Sequence, residues 1–107
     1  MRIVNYQEFI NLPQGTLYRE TEPQIFGELQ IKQETINEGH DWYLTRLDYF
    51  QTELSFSDGY EFLEAGNSLP LDLNSSERDG MFDYERKFLI YEKEDVKALM
   101  EYLTELI

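Results

Sequence analysis

The chain has 107 residues, 41% hydrophobic and 15% aromatic, with nine basic and 22 acidic side chains and a formal net charge of −13. That length holds one domain, residues 1–107, and its eight Tyr and seven Phe set it apart from a disordered acidic tail. The absence of cysteine excludes a disulfide-stapled module and the usual structural zinc site, and the charge has the wrong sign for direct nucleic-acid binding, because carboxylates repel phosphates.

The first residues, Met1 to Glu8, contain no apolar signal core. No window approaches the roughly 20 apolar residues that span a bilayer. The expectation is a cytoplasmic protein with no membrane partner. Asn5 has the chemistry of a helix N-cap, with Glu8 placed to complete a capping box and Val4 and Phe9 at the positions of a hydrophobic staple. Pro13 and Gly15 end this short helix.

Residues 16–20 read as a strand and Glu22-Pro23-Gln24 as a turn. From 25 to 32 the chain alternates: Ile25, Gly27, Leu29 and Ile31 on a dry face, Glu28, Gln30 and Lys32 on a wet one. Gly27 is expected to leave space there for a neighbouring ring. A hairpin pairing 16–20 with 25–32 follows.

Asn37 to Asp41 is a turn by composition. Trp42 to Phe50 has strand composition, although Leu44, Leu47, Phe50 and Leu54 also fit a helical face; a strand followed by a bulge or turn reconciles the two. Residues 57–66 read as a short helix capped by Ser57 and stopped by Gly66. Residues 67–79 are mostly polar and irregular. Lys87 to Tyr91 is a compact strand that feeds a helix from about Lys93 to Leu106, where Val96, Leu99, Met100, Leu103, Leu106 and Ile107 form an amphipathic stripe. The fold class is therefore α+β: a small, mostly antiparallel sheet packed against the C-terminal amphipathic helix and the shorter helices.

The charge is lopsided. Between Gln33 and Glu77 there are ten acids and one base, Arg46, whereas Arg86, Lys87, Lys93 and Lys97 gather near the last strand and helix. Such a field steers association with a basic partner; it also keeps a small protein from aggregating. Carboxylates sit beside rings at Asp41-Trp42-Tyr43, Asp48-Tyr49-Phe50 and Asp58-Gly59-Tyr60, and aromatic anchors inside a charged rim are the chemistry of protein interfaces. The candidate contact residues are Glu38, Asp41, Trp42, Asp48, Asp58, Tyr60, Glu61 and Glu64. The competing reading puts the rings in the core.

Catalytic chemistry is not indicated. His40 is the single imidazole, in a polar turn with no nucleophile motif nearby, and reads as solvated. In so acidic a chain carboxylate spacing carries no weight. No Gly-rich phosphate loop is present. Ser75 to Arg86 has the outline of a calcium loop with Gly80 at its sixth place, but Ser75 replaces the first Asp and Arg86 stands where a bidentate Glu is needed. No metal, cofactor or enzymatic activity is expected.

Leu12-Pro13-Gln14-Gly15-Thr16-Leu17-Tyr18, Phe26-Gly27-Glu28-Leu29-Gln30-Ile31-Lys32, Arg78-Asp79-Gly80-Met81-Phe82-Asp83 and the stretch from Phe88 to Val96 resemble small acidic proteins encoded by bacteriophages and prophages. The resemblance implies a bacterial host cytoplasm and an accessory role in phage–host conflict, and it carries over no functional residues. The leading expectation is a non-catalytic protein-binding module that occupies a basic, nucleic-acid-binding groove on a host protein as a DNA mimic. The alternatives are an immunity or antitoxin protein, a small-ligand module or enzyme, and a virion component.

Overall fold

The structure, a computed structural model, describes residues 1–22 and 25–107, with 25 and 26 described by backbone alone; Pro23 and Gln24 of the expected turn lie outside the described residues. The elements in chain order are β1 (Arg2–Asn5), α1 (Tyr6–Ile10), β2 (Thr16–Glu22), β3 (Ile25–Phe26), β4 (Gln30–Ile36), a tight turn (Asn37–Gly39), β5 (Asp41–Arg46), β6 (Tyr49–Phe50), α2 (Phe56–Glu64), β7 (Leu71–Asp72), β8 (Glu77–Arg78), β9 (Lys87–Ile90) and α3 (Lys93–Thr104). The main sheet runs β1-β9-β2-β4-β5-β8, with β3 paired to the far end of β2, and every pairing is antiparallel. The α+β class expected from the sequence is the class observed.

The core forms where α1 closes one face of this sheet. Asn5 caps α1, its Oδ1 accepting from the Glu8 N–H at 2.9 Å. Glu8 does not return the bond; its carboxylate takes Arg2 instead. The five-residue helix delivers Tyr6, Phe9 and Ile10 onto Val4, Tyr18, Trp42, Leu44, Phe88 and Ile90. Phe9 is the hub. Its ring stacks on Phe88 at 3.9 Å and meets Tyr18 and Trp42 edge-on at 4.7 and 5.0 Å. Such pairs add about 0.5–1.5 kcal/mol each to the burial of their area. The Trp42 indole N–H donates to the Tyr18 hydroxyl at 3.1 Å, so neither polar group is stranded.

The alternation read from sequence puts Lys32 on the wet face and fails there: Leu29, Gln30 and Ile31 are all half-buried, and the lysine is the residue taken inside. Lys32 pairs across from Leu44 and shares its face, so the lysine enters the core at 1% exposure. Ile31 turns to the other face beside Leu17. Lys32 is accommodated because its Nζ donates to the Leu12 carbonyl at 3.0 Å, the Thr35 hydroxyl at 2.8 Å and the Gln33 carbonyl at 3.3 Å. Gly27 accommodates no ring: its N–H donates to the Glu20 carbonyl at 2.7 Å, and a Cβ there would meet that same oxygen at 3.2 Å.

The segment 42–50 is a strand followed by a break. β5 stays in the main sheet, the chain bends at Leu47-Asp48, and β6 starts a separate two-stranded sheet with β7, Tyr49 opposite Asp72 and Phe50 opposite Leu71. α2 lies between these two strands in sequence. Its cap is Ser55 rather than Ser57, the Ser55 Oγ accepting from the Asp58 N–H at 3.2 Å. It ends in a Schellman arrangement: Gly66 at φ +94° donates to the Leu63 carbonyl, and Asn67 to that of Phe62.

α3 starts at Glu92, whose N–H donates to the Asp95 carboxylate at 2.9 Å. It is amphipathic as expected, yet none of its residues is buried. The sheet face is closed by α1.

Candidate protein-binding surface

The eight candidate residues fall into three groups. Asp41 and Trp42, both at 0% exposure, are removed from any contact surface. Asp41 sits under the loop that follows β8: its Oδ1 accepts from the Trp42 and Gly80 N–H groups, each at 2.9 Å, and Arg78 Nε stands 2.8 Å from Oδ2 as an ion partner. Adjacency of an acid and a ring describes an interface and a core equally well, and here the core is correct. Glu38 forms the second group alone, exposed at φ +55° on the turn between β4 and β5. That turn and the bend at Leu47 leave opposite ends of β5, about 17 Å apart by strand rise.

The third group is coherent. Asp48, Asp58, Tyr60, Glu61 and Glu64 are all exposed and all belong to the excursion from Leu47 to Leu73. This arm contains six acids (Asp48, Glu53, Asp58, Glu61, Glu64 and Asp72) and no Lys or Arg. Among the described residues, none of the six is in an ion pair. It also exposes Leu54, Phe56, Tyr60, Phe62, Leu71 and Leu73. At 100° per residue, buried Gly59 and half-buried Leu63 face inward, Asp58 and Glu61 face outward, and Tyr60 and Phe62 flank them. The arm is held by ring contacts: Phe56 stacks on Phe50 at 5.4 Å and meets Tyr49 at 5.9 Å. Gly59 allows α2 this approach, since a Cβ would come within 2.4 Å of the Phe50 ring.

A contrasting acidic cluster lines a depression of about 380 Å³ at the β2–β5 side of the sheet. There Arg46 binds Glu77 at 2.7 Å and also Glu28, while Arg86 binds Asp79 at 2.8 and 2.9 Å and Glu20 at 2.7 Å. Burial disfavours the charged form of Arg86, and the Asp79 and Glu20 carboxylates outweigh it, so its pKa is raised. These carboxylates are neutralised from within the chain. Arg86 also occupies the outline of the calcium loop, where it takes the Asp79 carboxylate and the Asp83 carbonyl. His40 is exposed, with its ring 5.6 Å from Tyr84. No helix among the described residues is long and apolar enough to cross a membrane.

The sequence reading missed Arg86 as an organising residue and did not separate the arm from the body. Comparison with family models, curated proteins and solved structures gives no match.

Proposed function

We propose that this protein is a non-catalytic binding module that docks on a basic protein through the arm from Leu47 to Leu73. The observation that carries the reading is the contrast within one chain: around the sheet Glu20, Glu28, Asp41, Glu77 and Asp79 are paired with arginines, while exposed Glu34 and Glu38 are not, whereas among the described residues none of the six acids on the arm is in an ion pair, and they stand among exposed rings and leucines. Unmatched charge raises encounter rates with an oppositely charged surface, and the rings supply the apolar anchors that charge alone lacks. Asp58, Glu61 and Glu64 follow one another at about 4.5 Å of helix rise. A groove built to pair cations with phosphates can take such a row of carboxylates, so it is a fitting target. On this reading the protein is an accessory inhibitor of a nucleic-acid-binding protein in a bacterial cytoplasm.

The test is affinity capture from bacterial lysate with the wild-type chain and with a triple variant, Asp58→Lys, Glu61→Lys and Glu64→Lys, each at low and high salt. The expected result is a basic protein retained only by the wild type at low salt, and displaced from its nucleic acid when the chain is added. Equal retention by the charge-reversed variant, or retention that ignores salt, rules the reading out.

A further inference from the structure

α3 brings Val96, Leu99, Met100 and Leu103 within about 100° of arc, the width of a core-facing stripe, with Leu106 just past its end. In this chain the stripe is open. Leu99 is half-buried, while Val96, Met100, Leu103 and Leu106 are exposed, the last three by half or more. Alongside Val96 and Met100 runs an open groove of about 620 Å³, floored by Leu12, Leu17 and Ile90 and rimmed by Arg2, Lys93 and Lys97. We infer that this stripe is a self-association surface, and that a second copy of the chain lays its own α3 across it about a two-fold axis.

Surface area is the first argument for that occupant. A folded monomer of 12.8 kDa exposes about 6,300 Å² by size scaling, and this chain exposes 7784 Å². Its radius of gyration is 15.5 Å, against about 13 Å for a compact domain of this length. The excess is about 1,500 Å², and a stable interface removes about 800 Å² from each partner. Val96, Met100, Leu103 and Leu106 of this region are among the large apolar side chains left exposed, as are those of the arm.

Charge is the second argument. Two chains of −13 each repel most strongly through the arm, which has six acids and no base. From Lys87 to Leu106 there are five acids and three lysines, and Arg2 adds a cation at the groove rim. The apolar stripe therefore lies on a side where like charge is nearly balanced, so that side permits two copies to approach. A single apolar stripe is also self-complementary about a two-fold axis, which closes the assembly at two.

Sedimentation equilibrium of the full chain across micromolar to submillimolar concentration is the test, with Met100→Glu and Leu103→Glu as stripe variants and near-ultraviolet dichroism of Trp42 as the check on folding. The expected result is a reversible species of twice the 12.8 kDa chain mass, reduced to monomer by either stripe variant with the Trp42 signal unchanged. Because the chain has no cysteine, Met100→Cys with a short bismaleimide gives a second reading that does not depend on a charged substitution. Cross-linked dimer from that variant, and none from Tyr60→Cys, supports the pairing. A monomer at every concentration, a dimer that survives both stripe variants, or an assembly abolished by charge reversal on the arm overturns it.

Discussion

The guanidinium of Arg86 lies 4.9 Å over the centre of the Trp42 ring and 5.7 Å from that of Phe88. A permanent cation is thus set against the aromatic core, supported by Asp79 and Glu20 on its polar side. The Asp79 side chain is itself 5% exposed, so removing Arg86 strands a buried carboxylate. Arg86→Met is expected to cost about 3–5 kcal/mol, read as a lower urea midpoint by Trp42 fluorescence. Adding Asp79→Asn should recover part of that loss, because the stranded charge is then gone. Additive losses in the double variant would show that the pair is not coupled.

Lys32 is a core cation of a different kind, in no ion pair among the described residues. Its three acceptors are two carbonyls and one hydroxyl, and Thr35 passes the chain of bonds on to the Ile10 carbonyl at 2.9 Å. Lys32→Met keeps the stem and removes the donors, leaving the Leu12 carbonyl without that partner. The expected cost is about 1–3 kcal/mol in urea unfolding. Lys32→Ala should cost more, since it opens a cavity as well. If Lys32→Met is neutral, the ammonium is not what ties α1 to β4.

These two residues show why some of the fold could be read from the sequence and some could not. The Asn5 cap, the β2–β4 hairpin and α3 were legible because each rests on a local rule: a side chain within reach of a nearby amide, or a repeated spacing. The face of β4 was not legible. Alternation weighs each side chain by its polarity, whereas burial of Lys32 was decided by acceptors at Leu12 and Thr35. β1 was missed because four residues ahead of a cap carry no period. For the candidate surface, the acidic bias of the middle of the chain was legible, and so was the placement of Asp58, Tyr60, Glu61 and Glu64 on a short exposed helix. The burial of Asp41 and Trp42 was not, because it depends on Gly80 and Arg86, about forty residues further along.

Alkaline pH should unfold the protein earlier than a generic domain. Burial raises the Tyr6 pKa to about 12 and pushes Tyr18 up as well. An unfolded tyrosine loses its proton near pH 10. Above that point the unfolded chain binds fewer protons than the folded one, so stability falls as pH rises. The contribution is intact below pH 10 and is lost on the way to pH 12. Lys32 acts in the opposite sense: burial lowers its pKa, so the unfolded state holds the extra proton just below the ordinary lysine value, and stability there rises with pH. The urea midpoint should therefore decline above pH 10, and Tyr6→Phe should flatten part of the decline. A midpoint unchanged up to pH 12 would contradict the burial of both hydroxyls.

Gly59 tests whether the arm is energetically separate from the body. A Cβ at this position would sit 2.4 Å from Phe50 Cε2, 3.1 Å from its Cζ and 3.3 Å from the Thr52 methyl. Neither the Phe50 ring nor α2 can yield without losing the Phe50–Phe56 stack that holds the arm. Overpacking of this kind costs about 1–3 kcal/mol, and among the described residues β6 and β7 pair with each other and with no strand of the main sheet, so the cost should be confined to the arm. Gly59→Ala is expected to speed amide exchange across Phe56–Glu64 while leaving Phe88, Ile90 and the Trp42 unfolding midpoint nearly unchanged. It should also weaken capture of a basic partner without altering any charge. A fall in the Trp42 midpoint as large as the loss of protection in α2 would mean that arm and sheet unfold as one unit.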